Sequence, residues 1–148
     1  MQKHSLSSLI WLRMARFVQR SNQLSNEFLE QYDLTAAQFD VLVQVQGHEP
    51  VTQMELAEKL LVSRGGISRM LTRLEKEELI IRSQEWKVKY ISLTAKGRKR
   101  LDAVYQHQLA FQTSMFDDVL DEAEKKQLYA MVTKLQKHSQ KKSVPAKK

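Results

Sequence analysis

Arg64, Ser68, Arg69, Thr72 and Arg73 recur at intervals that place three guanidinium groups and two hydroxyls on one side of a helix, and no acid follows before Glu75. Such a face suits phosphate oxygens and the acceptor edge of guanine. Gly65 and Gly66 open the same stretch. Glycine costs roughly 1 kcal/mol relative to alanine inside a helix, a loss that makes sense where the backbone must approach something closely. A nucleic-acid groove is such a partner. Taken alone, a basic run is more often a solvated face, so the reading depends on the elements that would position it.

Behind the basic face, Ile67, Leu71 and Leu74 share one side, and Leu56, Ala57, Leu60 and Val62 from the preceding stretch face the same core. Thr52 and Glu55 have capping-box spacing, and Ser63 is a good N-cap for the second helix. Leu61-Val62 leaves room only for a turn. These features together predict a helix-turn-helix whose second helix carries the basic face. After Lys76 the pattern changes period. Leu79-Ile80-Ile81-Arg82 and Val88 to Leu93 predict two antiparallel strands joined near Gln84 to Lys87, a wing directly behind the basic helix. Arg82, Lys87 and Lys89 put positive charge on it, suited to phosphate or minor-groove contact. Lys89 taken singly serves equally as an edge-strand lysine that discourages aggregation.

Four further helices flank this core. From Ser5 to Tyr32, Leu6, Ile10, Met14, Phe17, Leu24 and Phe28 form one stripe that Leu9, Trp11 and Val18 widen, enough to bury one side internally and another against a second copy. Thr35, with Gln38 three residues on, starts a second helix that turns Phe39, Leu42, Val43 and Gln46 inward and is expected to end at Gly47, before Pro50. Thr94 caps a long fifth helix with Leu101, Val104, Gln108, Phe111 and Met115 along one side. Asp121 and Glu124 cap a sixth with Leu128, Met131, Val132 and Leu135.

Composition bounds the partners. With 148 residues and 42% apolar content the chain fits one domain. Lys and Arg outnumber Asp and Glu by 24 to 17, a net charge of +7 that favours a polyanion. Part of that excess sits in a polar tail from Ser139 to Lys148, expected to be disordered. The absence of cysteine excludes disulfides, thiol nucleophiles and cysteine-ligated zinc. His4, His48, His107 and His138 lie far apart without close carboxylate partners, so neither a metal site, a cofactor nor an enzyme is expected. The apolar run Leu9 to Leu12 is cut short by Arg13 and Arg16, so neither a membrane span nor a signal peptide is expected, and the location expected is cytoplasmic.

The chain resembles the MarR family of bacterial winged helix-turn-helix transcriptional regulators. The resemblance is carried by Leu34-Thr35-Ala36-Ala37-Gln38-Phe39-Asp40-Val41-Leu42, Leu56-Ala57-Glu58-Lys59-Leu60, Val62-Ser63-Arg64-Gly65-Gly66-Ile67-Ser68-Arg69, Leu74-Glu75-Lys76 and Ile91-Ser92-Leu93-Thr94-Ala95-Lys96-Gly97. Each fragment is weak alone; their order and spacing make the match. It implies a mainly α fold, a winged helix-turn-helix with a two-stranded β wing and long N- and C-terminal dimerisation helices. One domain would span residues 1–138, with its winged core at 34–95 and helical dimerisation regions at 5–32 and 96–138. It further implies a homodimer on a pseudo-palindromic operator in double-stranded DNA, acting as a repressor that a small aromatic effector releases.

On that pattern the DNA-contacting candidates are Ser63, Arg64, Gly65, Ser68, Arg69, Thr72 and Arg73 on the helix, with Arg82, Lys87 and Lys89 on the wing. Trp11, Met14 and Phe17 are candidate ligand-pocket residues, although residues of this kind are more often core residues of a dimer, and His48 could line such a pocket too. The alternative is a helical protein-interaction module on the same fold, which would tolerate acids on the basic face. The chain departs from the family pattern in three places. Glu78 stands where glycine is usual, so the second motif helix is expected to end without a left-handed glycine cap. Glu85 and Lys87 replace the usual Asp-x-Arg of the wing. The wing is also several residues shorter than usual.

Overall fold

Capping residues set the helix starts. Ser5 accepts from the Ser8 N–H (3.1 Å) at the head of α1 (Leu6–Glu30). Thr35 and Gln38 form a reciprocal capping box, each 3.0 Å from the other's backbone nitrogen, before α2 (Ala36–His48). The computed structural model describes residues 4–60 and 64–147, with Arg64 described through its backbone only. After α2 come β1 (Val51–Thr52), α3 (Gln53–Leu60), α4 (Arg64–Lys76), β2 (Ile80–Glu85), β3 (Val88–Leu93), α5 (Ala95–Asp117) and α6 (Glu122–Lys141). The described residues up to Gln112 make one compact unit and those from Thr113 a second.

In the first unit the core is a single apolar cluster. Val41, Leu42 and Val45 of α2, Leu56 of α3, Ile67, Leu71 and Leu74 of α4, and Leu101 and Val104 of α5 are fully buried in it. The expected inward face of the helix-turn-helix is therefore in place, with Leu60 half-buried. Val62 and the Leu61-Val62 turn lie outside the described residues. In the second unit Asp121 and Glu124 close the expected capping box, and Lys125 pairs with Asp117 at 2.8 Å and with Glu122. No helix among the described residues is long and apolar enough to cross a membrane.

Four details differ from expectation. Gly47 does not end α2; the helix runs on to His48, and Glu49 turns extended (φ −66°, ψ 140°) because Pro50 disfavours a helical residue before it. The sheet has three strands in the order β1-β3-β2, since Val51 and Thr52 pair with Ile91 and Tyr90; two residues are too few to show a period. At the exit of α4, Glu78 itself adopts the left-handed conformation, φ 63°. The Leu79 N–H reaches the Leu74 carbonyl (3.0 Å) and the Glu78 N–H the Glu75 carbonyl (2.9 Å), so the glycine type of closure is built without glycine. Finally, α6 continues through Ser139 to Lys141, so the segment without helix or strand begins at Lys142, because the Lys and Gln of Gln136 to Lys141 are good helix formers.

Two apolar stripes stay on the surface. On α1, Leu6, Leu9, Ile10, Trp11, Met14, Phe17 and Val18 are exposed, Trp11 at 75%. On α6, Tyr129, Met131, Val132 and Leu135 are exposed. Trp11, Met14 and Phe17 thus lie on an outer helix face.

Candidate nucleic-acid interface

The apolar spacing Ile67, Leu71, Leu74 turns the other side of α4 outward. There Gly65, Arg69, Thr72 and Arg73 are exposed and Ser68 is half-buried. Ser63 lies outside the described residues, as does the side chain of Arg64. Thr52 accepts from the Glu55 N–H (3.1 Å), fixing the start of α3 as expected. Arg73 meets Glu77 at 3.5 Å across one turn, but its side chain is 70% exposed, and such pairs contribute only about 0.3 to 0.5 kcal/mol. Its guanidinium can be given up to a phosphate at little cost.

Among the described residues nothing requires glycine at Gly65. A methyl group there would meet only the Arg69 guanidinium, at an ordinary 3.7 Å. Gly97 is the opposite case. A Cβ on it would fall 2.0 Å from the Leu79 carbonyl oxygen, so only glycine lets the start of α5 lie against the chain leaving α4. Sequence reasoning found Gly97 only as part of a motif; its role needs the neighbouring backbone.

The exit of α4 is fastened at this place. Thr94 donates its hydroxyl to the Glu78 carbonyl (2.6 Å) and its N–H to the Leu79 carbonyl (3.1 Å), while accepting from the Gly97 N–H (2.9 Å). Lys96 Nζ donates to the Glu77 carbonyl at 3.1 Å. Glu49 braces the other side, accepting from the Leu93 N–H (2.9 Å) and pairing with Arg98. Burial pushes the Glu49 carboxyl up, but the Leu93 N–H and Arg98 outweigh it and leave it below the usual range.

The wing is clamped to the same helix by Arg82. Its Nε and Nη2 donate to both oxygens of Glu75 (3.3 and 3.1 Å), and Nη2 also donates to Thr72 Oγ1 at 3.2 Å. These bonds hold the Glu75 carboxyl below its ordinary range despite partial burial. Arg82 was singled out as a DNA contact, yet here its guanidinium faces inward and acts as a positioning group. Thr72 is shared, since its hydroxyl also donates to the Ser68 carbonyl at 2.9 Å. Lys87 and Lys89 remain exposed, and Lys89 is close enough to Glu75 to help depress it. Lys87 Nζ lies 5.6 Å from the centre of the Trp86 ring, so the cation turns to the indole rather than to Glu85.

A concavity of about 300 Å³ lies apart from the basic face, lined by Phe39, Asp40, Val43 and Gln44 of α2, Lys59 and Leu60 of α3, and Tyr105, Leu109 and Gln112 of α5. Trp11, Met14, Phe17 and His48 are not among its walls. The His48 ring instead hydrogen-bonds the Gln44 carbonyl (3.1 Å). Burial pushes the Asp40 carboxyl above its ordinary value.

With this geometry in view, three comparisons place the chain among known proteins. A family model described as MarR family matches residues 32–85. A helix-turn-helix type transcriptional regulator of Bacillus cereus is 60% identical over 145 residues, covering 98% of this chain and 99% of the relative. Among solved structures, a mutant of MarR from E. coli in complex with operator DNA superposes with a TM-score of 0.79 at 25% identity, over 89% of this chain and 99% of that one. S. aureus MepR in complex with DNA gives 0.77 at 26% identity, over 92% and 99%.

Proposed function

We propose, from the premise that this chain belongs to the MarR family of DNA-binding transcriptional regulators, that it works as a homodimeric repressor whose α4 enters the major groove of a pseudo-palindromic operator. One observation carries this reading: the outward side of α4 offers Arg69 and Arg73 with no acid among them, on a helix fastened at its far end by Thr94, Lys96 and Arg82. A fastened helix whose outer side carries cations and hydroxyls but no acid is what groove reading needs. Arg69 is the candidate for a guanine edge. Arg73, Lys87 and Lys89 suit phosphates.

A dimer is supported by the exposed apolar stripes of α1 and α6, which a second copy would cover. It would set two α4 rods about one duplex turn apart. For release by an effector, the concavity between α2, α3 and α5 is a better candidate than the outer face of Trp11, Met14 and Phe17. Phe39 and Tyr105 offer stacking surface there, with Asp40 and Lys59 as polar fixing points. An effector would act by its differential affinity for DNA-bound and free arrangements. No catalytic role is included in the reading.

The test is a footprint on the DNA upstream of the chain's own coding sequence, with affinity measured across a salt series. A two-lobed protected region whose affinity falls steeply with salt is expected, because each phosphate contact releases counterions. Salt-independent binding, or no preference over scrambled DNA, would remove the reading.

A further inference from the structure

The tip of the wing carries a residue that costs the fold on two counts. Trp86 sits in the two-residue turn between Glu85 and Val88 with φ 60°, a backbone region in which a bulky side chain is an outlier and glycine or asparagine is the usual occupant. Its indole is also 88% exposed, the most exposed aromatic side chain among the described residues. The turn is nevertheless braced. Gln84 Nε2 donates to the Trp86 carbonyl (3.0 Å), and Lys87 Nζ lies over the ring. Strained and exposed residues held in place by their neighbours concentrate at functional sites.

Charge around the tip says what would cover it. Strand alternation puts Gln84 and Lys89 on the side of the wing that carries Arg82 and faces α4, and turns Glu85 to the other side. Lys87 stands in the turn itself. The indole therefore emerges beside the Lys87 cation, with Lys89 two residues further along β3, on the strand pair that Arg82 ties to the basic helix. A strand advances about 3.3 Å per residue, so Trp86 stands about 13 Å beyond the Arg82 clamp, comparable with the half-turn of about 17 Å between a major groove and the neighbouring minor groove.

Resting on the DNA-binding reading above, we infer that Trp86 is a DNA-contacting residue: its indole enters the minor groove flanking the site read by α4, against the sugar walls and base edges, while Lys87 and Lys89 hold the phosphates on either side. The wing of this chain reads the groove with an aromatic wedge. Apolar side chains do enter minor grooves, and the scale is set by aromatic stacking on bases in single-strand sites, worth about 5- to 100-fold in affinity.

The experiment uses the full chain and a duplex that the native protein has itself selected from a random-sequence pool. W86G relieves the backbone strain, so it keeps or raises the melting temperature while lowering affinity about 10-fold; W86F retains most of it. Hydroxyl-radical footprints of W86G lose protection at the outer minor-groove segments and keep the central major-groove protection. In W11F, where Trp86 is the remaining tryptophan, the duplex shields emission from acrylamide. DNA binding with W86G affinity unchanged and Trp86 still fully quenched overturns the wedge alone. Failure of the native chain to select any duplex overturns the DNA-binding reading and the wedge with it.

Discussion

The two halves of α4 are built to different ends. Its leading part, Gly65 to Arg73, shows solvent a glycine that packing among the described residues does not require and arginines bound at most by one exposed ion pair. Its second half and the exit to Leu79 are held by Arg82, Thr94, Lys96 and the close passage of Gly97. On the proposed reading, side chains on the first half meet DNA, while the bonds at the second half tie the helix to the wing and to α5. Placement and recognition are thus carried by different residues, and mutations should separate them.

The largest effect is expected on the fastened half. Gly97→Ala forces a methyl group into the Leu79 carbonyl, where backbone must shift, and should destabilise by about 3 kcal/mol in urea unfolding. An alanine accepted without loss would mean that the approach at this joint is not tight. On the open half, Arg69→Ala should leave the unfolding midpoint unchanged and weaken operator binding by about 1 to 3 kcal/mol, with little effect on scrambled DNA. Equal losses on both duplexes would make Arg69 a phosphate contact only.

Glu75→Gln tests the clamp and should cost about 0.5 to 1 kcal/mol, because the pair is partly exposed. Its pH dependence has a definite sign. The folded carboxyl ionises below its ordinary value of 4.5, so the clamp is fully present above that value and is lost as pH falls through the lower folded one. Native stability should therefore fall more steeply than that of Glu75→Gln below about pH 4.5, and parallel acid curves would show that Arg82 contributes nothing there. The smallest effect separates the halves by sign. Gly65→Ala should raise stability by about 0.5 kcal/mol, since the methyl has room, yet lower operator affinity by holding the backbone off the groove. A gain in both would mean the glycine serves neither fold nor groove.

What was legible in the chain was local. The Thr35-Gln38 and Asp121-Glu124 capping boxes, the Thr94 cap and the spacing of Ile67, Leu71 and Leu74 depend on neighbours three or four residues away, and each is found where its spacing put it. The bonds of Arg82 to Glu75 and Thr72 were not legible, because these partners lie across the helix-to-strand junction, where periodicity carries no information. α4 was expected to end without a glycine cap and does; that Glu78 itself would take the left-handed conformation, held by the bonds from Leu79 and Glu78 back to α4, was not legible. The concavity escaped notice because Asp40, Lys59 and Tyr105 are gathered from three separate helices.

The fastening between Glu77 to Leu79 and Thr94 to Gly97 has a mechanical meaning. It joins the end of α4 and the head of α5 in a single elbow, tied by the Thr94 and Lys96 bonds and the close passage of Gly97. Tyr105 stands eight residues up α5 from Gly97, about 12 Å along the axis, where it lines the concavity together with Asp40. On the proposed reading, an effector held there would bear on the same helix whose head is fastened to the end of α4.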